Sequence, residues 1–286
     1  MKIGIIGNGF VGKATNILEC TDIEIVIYDI NPELCKPKNI KMENLLDCKI
    51  IFISVPTPMK SNGQCYTKII EDIIKNLEIL KYNNHIVLRS TVPVGTSDIL
   101  KVNFMPEFLT EKNYLDDFIN NKNWIFGILN NEKLEDFKKC IIDLFTTAYN
   151  CNKIKYNNIH FVTNKEAEMI KMFRNCFLST KISFCNEMYE FCTLKNIDYE
   201  NVRKLATCDE RINESHTYVP GHDGKKGFGG TCFPKDTNSL RYEMLNIGMT
   251  PYIMNSIIER NEKKDRPEKD WNENEGRAVI KNVNIK

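Results

Sequence analysis

The chain has no excess of either charge and no long apolar run, and each absence excludes a class of protein. Its 39 Lys and Arg residues nearly balance 38 Asp and Glu residues, for a formal net charge of +1. We therefore expect no bulk attraction to nucleic acid or to an anionic membrane. No segment is apolar enough to cross a bilayer, and the N-terminus enters a predicted strand at once, which leaves no room for a signal peptide. These features predict a cytoplasmic protein.

Histidine is scarce, and the cysteines lack the spacing of a metal site. The 11 cysteines are odd in number, form no CxxC pair and lie in apolar segments, which favours reduced thiols over disulfides. The four histidines show no zinc-ligand spacing. They are His85, His160, His216 and His222. The sequence thus predicts no metal site, and at 286 residues it has room for about two domains.

The N-terminal segment carries a dinucleotide-binding pattern. An apolar run to Ile6 leads into Gly7-Asn8-Gly9-Phe10-Val11-Gly12, a helical stretch to Glu19, and a second strand ending at Asp29. Glycines at these positions permit a tight turn, close approach of a pyrophosphate and close helix packing. Asp29 would bind the ribose hydroxyls and repel a 2′-phosphate, which favours NAD over NADP. The alternative is a glycine turn in another doubly wound sheet.

Predicted strands and helices alternate as far as residue 163, which indicates an α/β fold with a parallel sheet and helices on both faces. Thr163-Asn164-Lys165-Glu166 is a capping box that opens a helix of about thirty residues, roughly 45 Å long. Such a helix suits a link between two lobes. We therefore predict a Rossmann domain over 1–163, a helical central or dimerisation domain over 164–262, and a polar tail over 263–286 that is solvated or loosely packed.

Three polar motifs follow predicted strands, where ligands bind in sheets of this type. They are Val55-Pro56-Thr57-Pro58, Arg89-Ser90-Thr91-Val92-Pro93-Val94-Gly95-Thr96, and Asn103-Phe104-Met105-Pro106-Glu107-Phe108-Leu109-Thr110-Glu111. On the long helix, Lys171 and Asn175 share a face and could bind an oxyanion. The alternatives are ordinary turns with solvated polar groups and an exposed helix face.

The segment Gly227-Phe228-Gly229-Gly230-Thr231-Cys232-Phe233-Pro234-Lys235-Asp236 is the most specific motif. Its glycines let the backbone approach a ligand closely. Cys232 is followed by a lysine that would favour the thiolate and a carboxylate that could move protons. The motif predicts a covalent-catalysis site; the alternative is a glycine-rich turn holding a buried cysteine.

Five of these motifs, in this order, resemble the UDP-glucose/GDP-mannose dehydrogenase family of NAD-dependent enzymes. They are GxGxxG, VPTP, STVPVGT, PEFLxE, and the Lys171/Asn175 helix followed by FGGxCxPKD. The resemblance runs from Met1 to about Asn261. It implies a Rossmann domain, a long helix and a helical domain that forms a homodimer. The family's second Rossmann-like domain, which grips the nucleotide of the substrate, has no counterpart here, and another chain could supply it.

The resemblance also implies a four-electron oxidation of a nucleotide sugar, such as UDP-glucose, from the C6 alcohol to the acid. Cys232 would form a thiohemiacetal and then a thioester; Lys171 and Asn175 would stabilise the oxyanion; Asp236 and Glu107 would handle protons and water; Thr91 would order water. Implied NAD contacts are Gly7, Gly9, Phe10, Val11, Gly12, Asp29, Thr57, Thr91, Glu111 and Lys235. Implied substrate contacts are Glu107, Phe108, Leu109, Lys171, Asn175, Gly229 and, across the dimer, Arg211.

Two other functions stay open at this point. A two-electron 3-hydroxyacid or 6-phosphogluconate-type dehydrogenase shares the Rossmann lobe and the lysine/asparagine helix but has no need of Cys232. A noncatalytic NAD-binding subunit that assists a full-length dehydrogenase would explain the absent nucleotide-gripping domain, although the intact motif residues speak against it.

Overall fold

The computed structural model describes residues 1–280, which form two compact units. The first comprises Met1–Thr57 and Thr67–Lys171, and the second comprises Pro58–Tyr66 and the chain from Met172 onward. The boundary therefore lies inside the long helix, after the position at Thr163 that the sequence suggested. The assignment of Pro58–Tyr66 to the second unit was not foreseen.

The first unit contains a seven-stranded sheet. Its strands are β1 (Lys2–Ile6), β2 (Glu24–Tyr28), β3 (Ile50–Ile53), β4 (His85–Leu88), β5 (Asn103–Phe104), β6 (Asn123–Ile128) and β7 (Asn158–Thr163). They lie in the order β2-β1-β3-β4-β5-β6-β7. The strands from β1 to β5 are parallel, β6 is antiparallel to β5, and β7 is parallel to β6.

The reversal at β6 corrects the prediction of a parallel sheet in part. The chain leaves β5 through an irregular segment and a helix of only six residues, Tyr114–Ile119, and enters β6 from the same end of the sheet. A hydrophobic run predicts that a buried strand forms but carries no information on its direction. The direction depends on where the connecting segment packs.

The helices are α1 (Phe10–Thr15), α2 (Lys68–Ile79), α3 (Thr96–Ile99), α4 (Tyr114–Ile119), α5 (Leu134–Asn150), α6 (Asn164–Leu194), α7 (Tyr199–Ala206), α8 (Phe233–Asn246) and α9 (Tyr252–Arg260). The predicted capping box is confirmed: Glu166 accepts from the Thr163 N–H at 2.8 Å, and Thr163 Oγ1 accepts from the Glu166 N–H at 3.3 Å. Within residues 1–280, no helix is both long and apolar enough to span a membrane.

Two buried clusters cover the faces of the sheet. Ile50 and Phe52 of β3 belong to one cluster, together with residues of α5, whereas Ile51 and Ile53 belong to the other, together with residues of α2. Both faces are thus apolar, which is why the strands read as continuous hydrophobic runs. This arrangement leaves the ends of the strands as the places where polar side chains gather.

The second unit is helical, and its last described segment is packed rather than solvated. Its core includes Met172 of α6, Leu240 of α8 and Ile257 of α9. Trp271 (2% exposed) and Ala278 pack with Met59, and the Met59 N–H donates to the Ala278 carbonyl at 2.9 Å. The prediction of a solvated or loosely packed tail is therefore wrong for 263–280, because a few apolar residues within a charged run find long-range partners. The rest of that prediction lies outside the described residues.

Candidate functional site

The glycine turn after β1 has the steric form that a dinucleotide requires. Gly7 has φ +93°, and a Cβ there would lie 2.7 Å from the Ser54 carbonyl oxygen. At Gly12 a Cβ would lie 2.0 Å from the Gly7 carbonyl oxygen, so the helix can approach the strand only without a side chain. A Cβ at Gly9 would meet no atom within 4 Å. Gly9 thus faces the open space that a pyrophosphate needs, whereas Gly7 and Gly12 hold the turn together.

Asp29 lies at the end of β2, against this turn. Its carboxylate accepts from the Asn8 N–H at 2.7 Å and from the Asn31 N–H at 2.9 Å. These bonds fix the carboxylate beside the glycine turn. Phe10 and Val11 form the first turn of α1, and the Phe10 ring packs edge-on to Tyr114 with the centroids 6.3 Å apart.

The next strands bring the proline-containing motifs together. Thr57, which is 3% exposed, donates through its hydroxyl to the Thr91 carbonyl at 2.7 Å. Ser90 donates to the Val55 carbonyl, also at 2.7 Å. The ends of β3 and β4 are therefore joined by side-chain hydrogen bonds, as expected for neighbouring parallel strands whose carboxyl ends share one edge.

A buried ion pair, Lys171–Glu107, also belongs to the first unit. The Lys171 ammonium of α6 donates to the Glu107 carbonyl at 2.7 Å and to its carboxylate at 2.5 Å, and both side chains are 5% exposed or less. Burial alone would raise the pKa of Glu107, but the charges of Lys171 and Arg89 and the bond from the Leu109 N–H lower it below its usual value. Glu107 is therefore a carboxylate at neutral pH.

Arg89 belongs to the motif after β4, but the sequence predicted no role for it. It directly follows β4, is 2% exposed, donates to Thr15 Oγ1 and lies over the Phe118 ring. Burial lowers the pKa of Arg89 to about 10, and the nearby Glu107 opposes this effect. An arginine immediately after three apolar strand residues, Ile86 to Leu88, was the available signal, since such a position is buried in sheets of this kind.

The second unit holds the cysteine motif. Cys232 is half-buried at the start of α8, and Lys235 and Asp236 follow in the first turn, both buried. Asp236 accepts from the Lys235 ammonium at 2.5 Å and from the Asn175 amide at 2.6 Å. Burial alone would lower the pKa of Lys235, but the charge of the Asp236 carboxylate and its hydrogen bond to the ammonium raise it above its usual value. A helix N-terminus and a lysine cation both favour the thiolate.

The remaining predicted residues are less buried. Phe108 and Leu109 are half-buried, and Glu111 is exposed. Gly229 is half-buried in the segment before Cys232. The Arg211 side chain is 90% exposed and pairs with Asp209 at 2.5 Å. The predicted residues thus form two sets, one in each unit, with Lys171 and Asn175 four positions apart on α6.

The structure also brings together three potential metal ligands that their spacing in the sequence did not reveal. Ligand atoms of His85, Asp136 and Cys140 lie within 4.8 Å of one another. However, Asp136 is bonded to His85 at 2.7 Å and to the Lys49 ammonium at 3.0 Å, and these two bonds lower the pKa of Asp136. The carboxylate therefore already has a cationic partner, and the cluster is best described as an ion-pair network.

The chain matches two models of one family over more than half of its length. The NAD binding domain of the UDP-glucose/GDP-mannose dehydrogenase family matches residues 33–148, and the central domain matches residues 165–263. A UDP-glucose 6-dehydrogenase of Campylobacter jejuni is 27% identical, over 92% of this chain and 72% of the relative. UDP-glucose 6-dehydrogenase YwqF of Bacillus subtilis is 28% identical, over 91% of this chain and 66% of the relative.

Solved structures agree on the fold. A UDP-glucose dehydrogenase from Pyrobaculum islandicum superposes with a TM-score of 0.77 at 23% identity, and the match covers 91% of this chain and 68% of that one. This chain spans about two thirds of the length of the relatives it matches. The family matches, the glycine turn and the fold together show that the chain belongs to the UDP-glucose/GDP-mannose dehydrogenase family and that its cofactor is NAD.

Proposed function

We propose that this chain oxidises a nucleotide sugar, such as UDP-glucose, at C6 from the alcohol to the acid, with Cys232 as the covalent nucleophile. The observation that carries the proposal is the position of Cys232 at the start of α8, with the buried Lys235–Asp236 pair in the next turn. The names of the relatives support a sugar nucleotide as the substrate class.

The proposed chemistry balances in four steps. Two molecules of NAD, bound one after the other, would each accept one hydride. The alcohol loses a hydride and a proton to become the aldehyde, and the Cys232 sulfur then adds to the carbonyl carbon to give a thiohemiacetal. Loss of a second hydride and proton leaves a thioester. Water adds to the thioester, the C–S bond breaks, and the acid and the thiol are released.

The roles of the other catalytic residues are assigned from the motif positions that match the family. Lys171 carries three N–H donors, of which two bond Glu107. We assign the third donor, together with the Asn175 amide, to the oxyanion of the adduct. Asp236 and Glu107 are assigned to proton transfer and to the hydrolytic water, and Thr91 to ordering water beside the nicotinamide.

The other cofactor and substrate contacts extend the proposal. We assign Thr57, Glu111 and Lys235 to NAD, together with the glycine turn and Asp29. Phe108, Leu109 and Gly229 are assigned to the sugar. These assignments rest on motif positions that match the family, and each can be tested by substitution.

We also propose a homodimer formed through the helical unit. Phe173, Phe177, Phe184 and Phe191 of α6 are each 54% to 62% exposed, and positions 177, 184 and 191 are seven residues apart. A seven-residue apolar repeat presents one stripe for packing against another helix. The 90%-exposed Arg211 would then reach the substrate of the partner subunit as a charge clamp.

A panel of nucleotide sugars tests the reaction class. UDP-glucose, GDP-mannose and UDP-N-acetyl sugars are incubated with NAD, and NADH formed is compared with sugar consumed. The proposal predicts two NADH per sugar and an acid product for at least one member of the panel. One NADH per sugar with a carbonyl product would instead support a two-electron dehydrogenase. NAD binding without turnover, combined with stimulation of a full-length relative, would support a noncatalytic subunit.

A further inference from the structure

Asn261, the residue after α9, binds the backbone of the glycine-rich segment that leads to Cys232. Its side chain is 1% exposed, and it both accepts from the Phe228 N–H at 2.8 Å and donates to the Phe228 carbonyl at 2.9 Å. The Asn261 amide thus bonds both the N–H and the carbonyl group of the buried Phe228. Gly227 makes this approach possible, since a Cβ there would lie 2.2 Å from Asn261 Oδ1.

Arg266 holds the same segment from a second point. It is 1% exposed, donates from Nε to the Lys226 carbonyl at 3.0 Å and pairs with Asp223 at 2.5 Å. Its guanidinium occupies the space beside Gly229, where a Cβ would lie 1.6 Å from Nη1. Asp270, 3.5 Å from Nη1, is a third partner of the guanidinium, so the group cannot move aside without losing polar contacts.

These contacts end just before the nucleophile. Gly230, with φ +71°, and Thr231 are the residues between the clamped segment and Cys232. The thiol therefore lies at the junction of a segment held by Asn261 and Arg266 and a helix, α8, that is bound to α6 through the Asn175–Asp236 hydrogen bond. A small displacement of the segment would move the sulfur away from the helix N-terminus, and misplacement by about 1 Å can cost about a hundredfold in rate.

We propose that Asn261 and Arg266 are positioning residues that fix the Cys232 thiol by clamping residues 227–229. The inference deepens the proposed function, on which it rests for the role of Cys232. It also assigns a function to the charged segment that contains Arg266, for which the sequence predicted none.

The test measures the alkylation of Cys232 by iodoacetamide as a function of pH, read by peptide mass spectrometry because the chain has 11 cysteines. Asn261→Asp keeps the side-chain volume but turns a carboxylate toward the Phe228 carbonyl, and Arg266→Lys keeps the charge but loses the fork of donors. Both variants should move the inflection of the alkylation profile to higher pH, lower kcat on the order of tenfold or more, and leave NAD affinity unchanged. Lys263→Ala, at an exposed lysine of the same segment, is the matched control and should behave as wild type.

A second comparison keeps the proposal testable if one variant folds poorly. Gly229→Ala should displace the guanidinium and reproduce the Arg266 phenotype, and it should add little in the Arg266→Ala background. Additive effects, or an alkylation profile equal to wild type in all clamp variants, would overturn the proposal. If wild type oxidises no nucleotide sugar, the proposed function fails, but the alkylation profiles still decide whether the clamp sets the state of Cys232.

Discussion

At the scale of single residues, the site depends on charges that are buried in pairs. Lys171 and Glu107 are 3% and 5% exposed, so neither would keep its charge there without the other. The sequence predicted that both residues are catalytic but did not reveal that they form an ion pair. They lie 64 positions apart, and their contact exists only because α6 packs beside the end of β5.

Glu107→Gln tests this pair through stability. The substitution keeps the shape but leaves a buried ammonium without its counter-charge, which should lower the free energy of unfolding by about 3 kcal/mol at neutral pH. Chemical denaturation measures this loss. Glu111→Gln, at an exposed position, is the control and should change the free energy little.

The pH dependence of the unfolding free energy is a second test of the Lys171–Glu107 pair. The pKa of Glu107 is lowered in the folded state, so at acid pH the unfolded state binds more protons than the folded state. The stabilisation is therefore complete above the usual glutamate pKa and is lost as pH falls through the lowered value. Glu107→Gln should show a shallower loss of stability with acid than wild type. Equal acid slopes would mean that the pair does not contribute as described.

At the scale of elements, α6 also anchors the motif after β4. Glu168 of α6 is buried, and its carboxylate accepts from the Gly95 N–H at 2.5 Å and from the Ser97 N–H at 2.8 Å. These are donors at the start of α3, which otherwise has no side-chain cap. Through Glu168, the long helix α6 caps the start of α3 and so holds the preceding loop, which contains Thr91.

Glu168→Gln is the test at this scale. The amide can accept only one of the two N–H groups, so one buried donor loses its partner, at a cost of about 1–3 kcal/mol in unfolding free energy. Hydrogen exchange of the Gly95 and Ser97 amides should become faster, while exchange in β1 stays as in wild type. Glu187→Gln, on an exposed turn of the same helix, is the control. Unchanged exchange at both amides would contradict the capping role.

The elements themselves were largely predictable, because their signals are local. All seven strands and the capping box of α6 follow from apolar runs and from residues within four positions of each other. The direction of β6 and the burial of Arg266 were not predictable, because both depend on contacts across the chain. Arg266 is paired with Asp223, 43 residues earlier, and it lies in a mostly charged stretch of sequence. The same limit applies to the pairing of Asn175 with Asp236.

At the scale of the whole molecule, the exposed phenylalanine stripe of α6 predicts association. Phe177→Ser combined with Phe184→Ser should leave the fold intact, since both side chains are about 60% exposed, and should convert a dimer to a monomer in sedimentation at micromolar concentration. Ile79→Ser, at a 66%-exposed residue of α2, is the control. A monomeric wild type with full activity would refute the dimer.

Arg211→Ala tests whether Arg211 contributes to dimer formation or to activity. A single exposed arginine is a poor interface core but a good charge clamp. The variant should therefore sediment as wild type and lose activity on a nucleotide sugar by about tenfold or more. Loss of the dimer with unchanged activity per chain would contradict the proposed role.

The central claim is that Cys232 carries the sugar covalently, and Cys232→Ser tests it most directly. Product acid and NADH are quantified for wild type, for Cys232→Ser, and for Cys208→Ser, an exposed cysteine that serves as the control. If Cys232 carries the sugar covalently, wild type and the control should both form two NADH per acid. Cys232→Ser should bind NAD with wild-type affinity, but its rate of acid formation should fall far below that of wild type. Acid formation by Cys232→Ser at the wild-type rate, with two NADH per sugar, would contradict it.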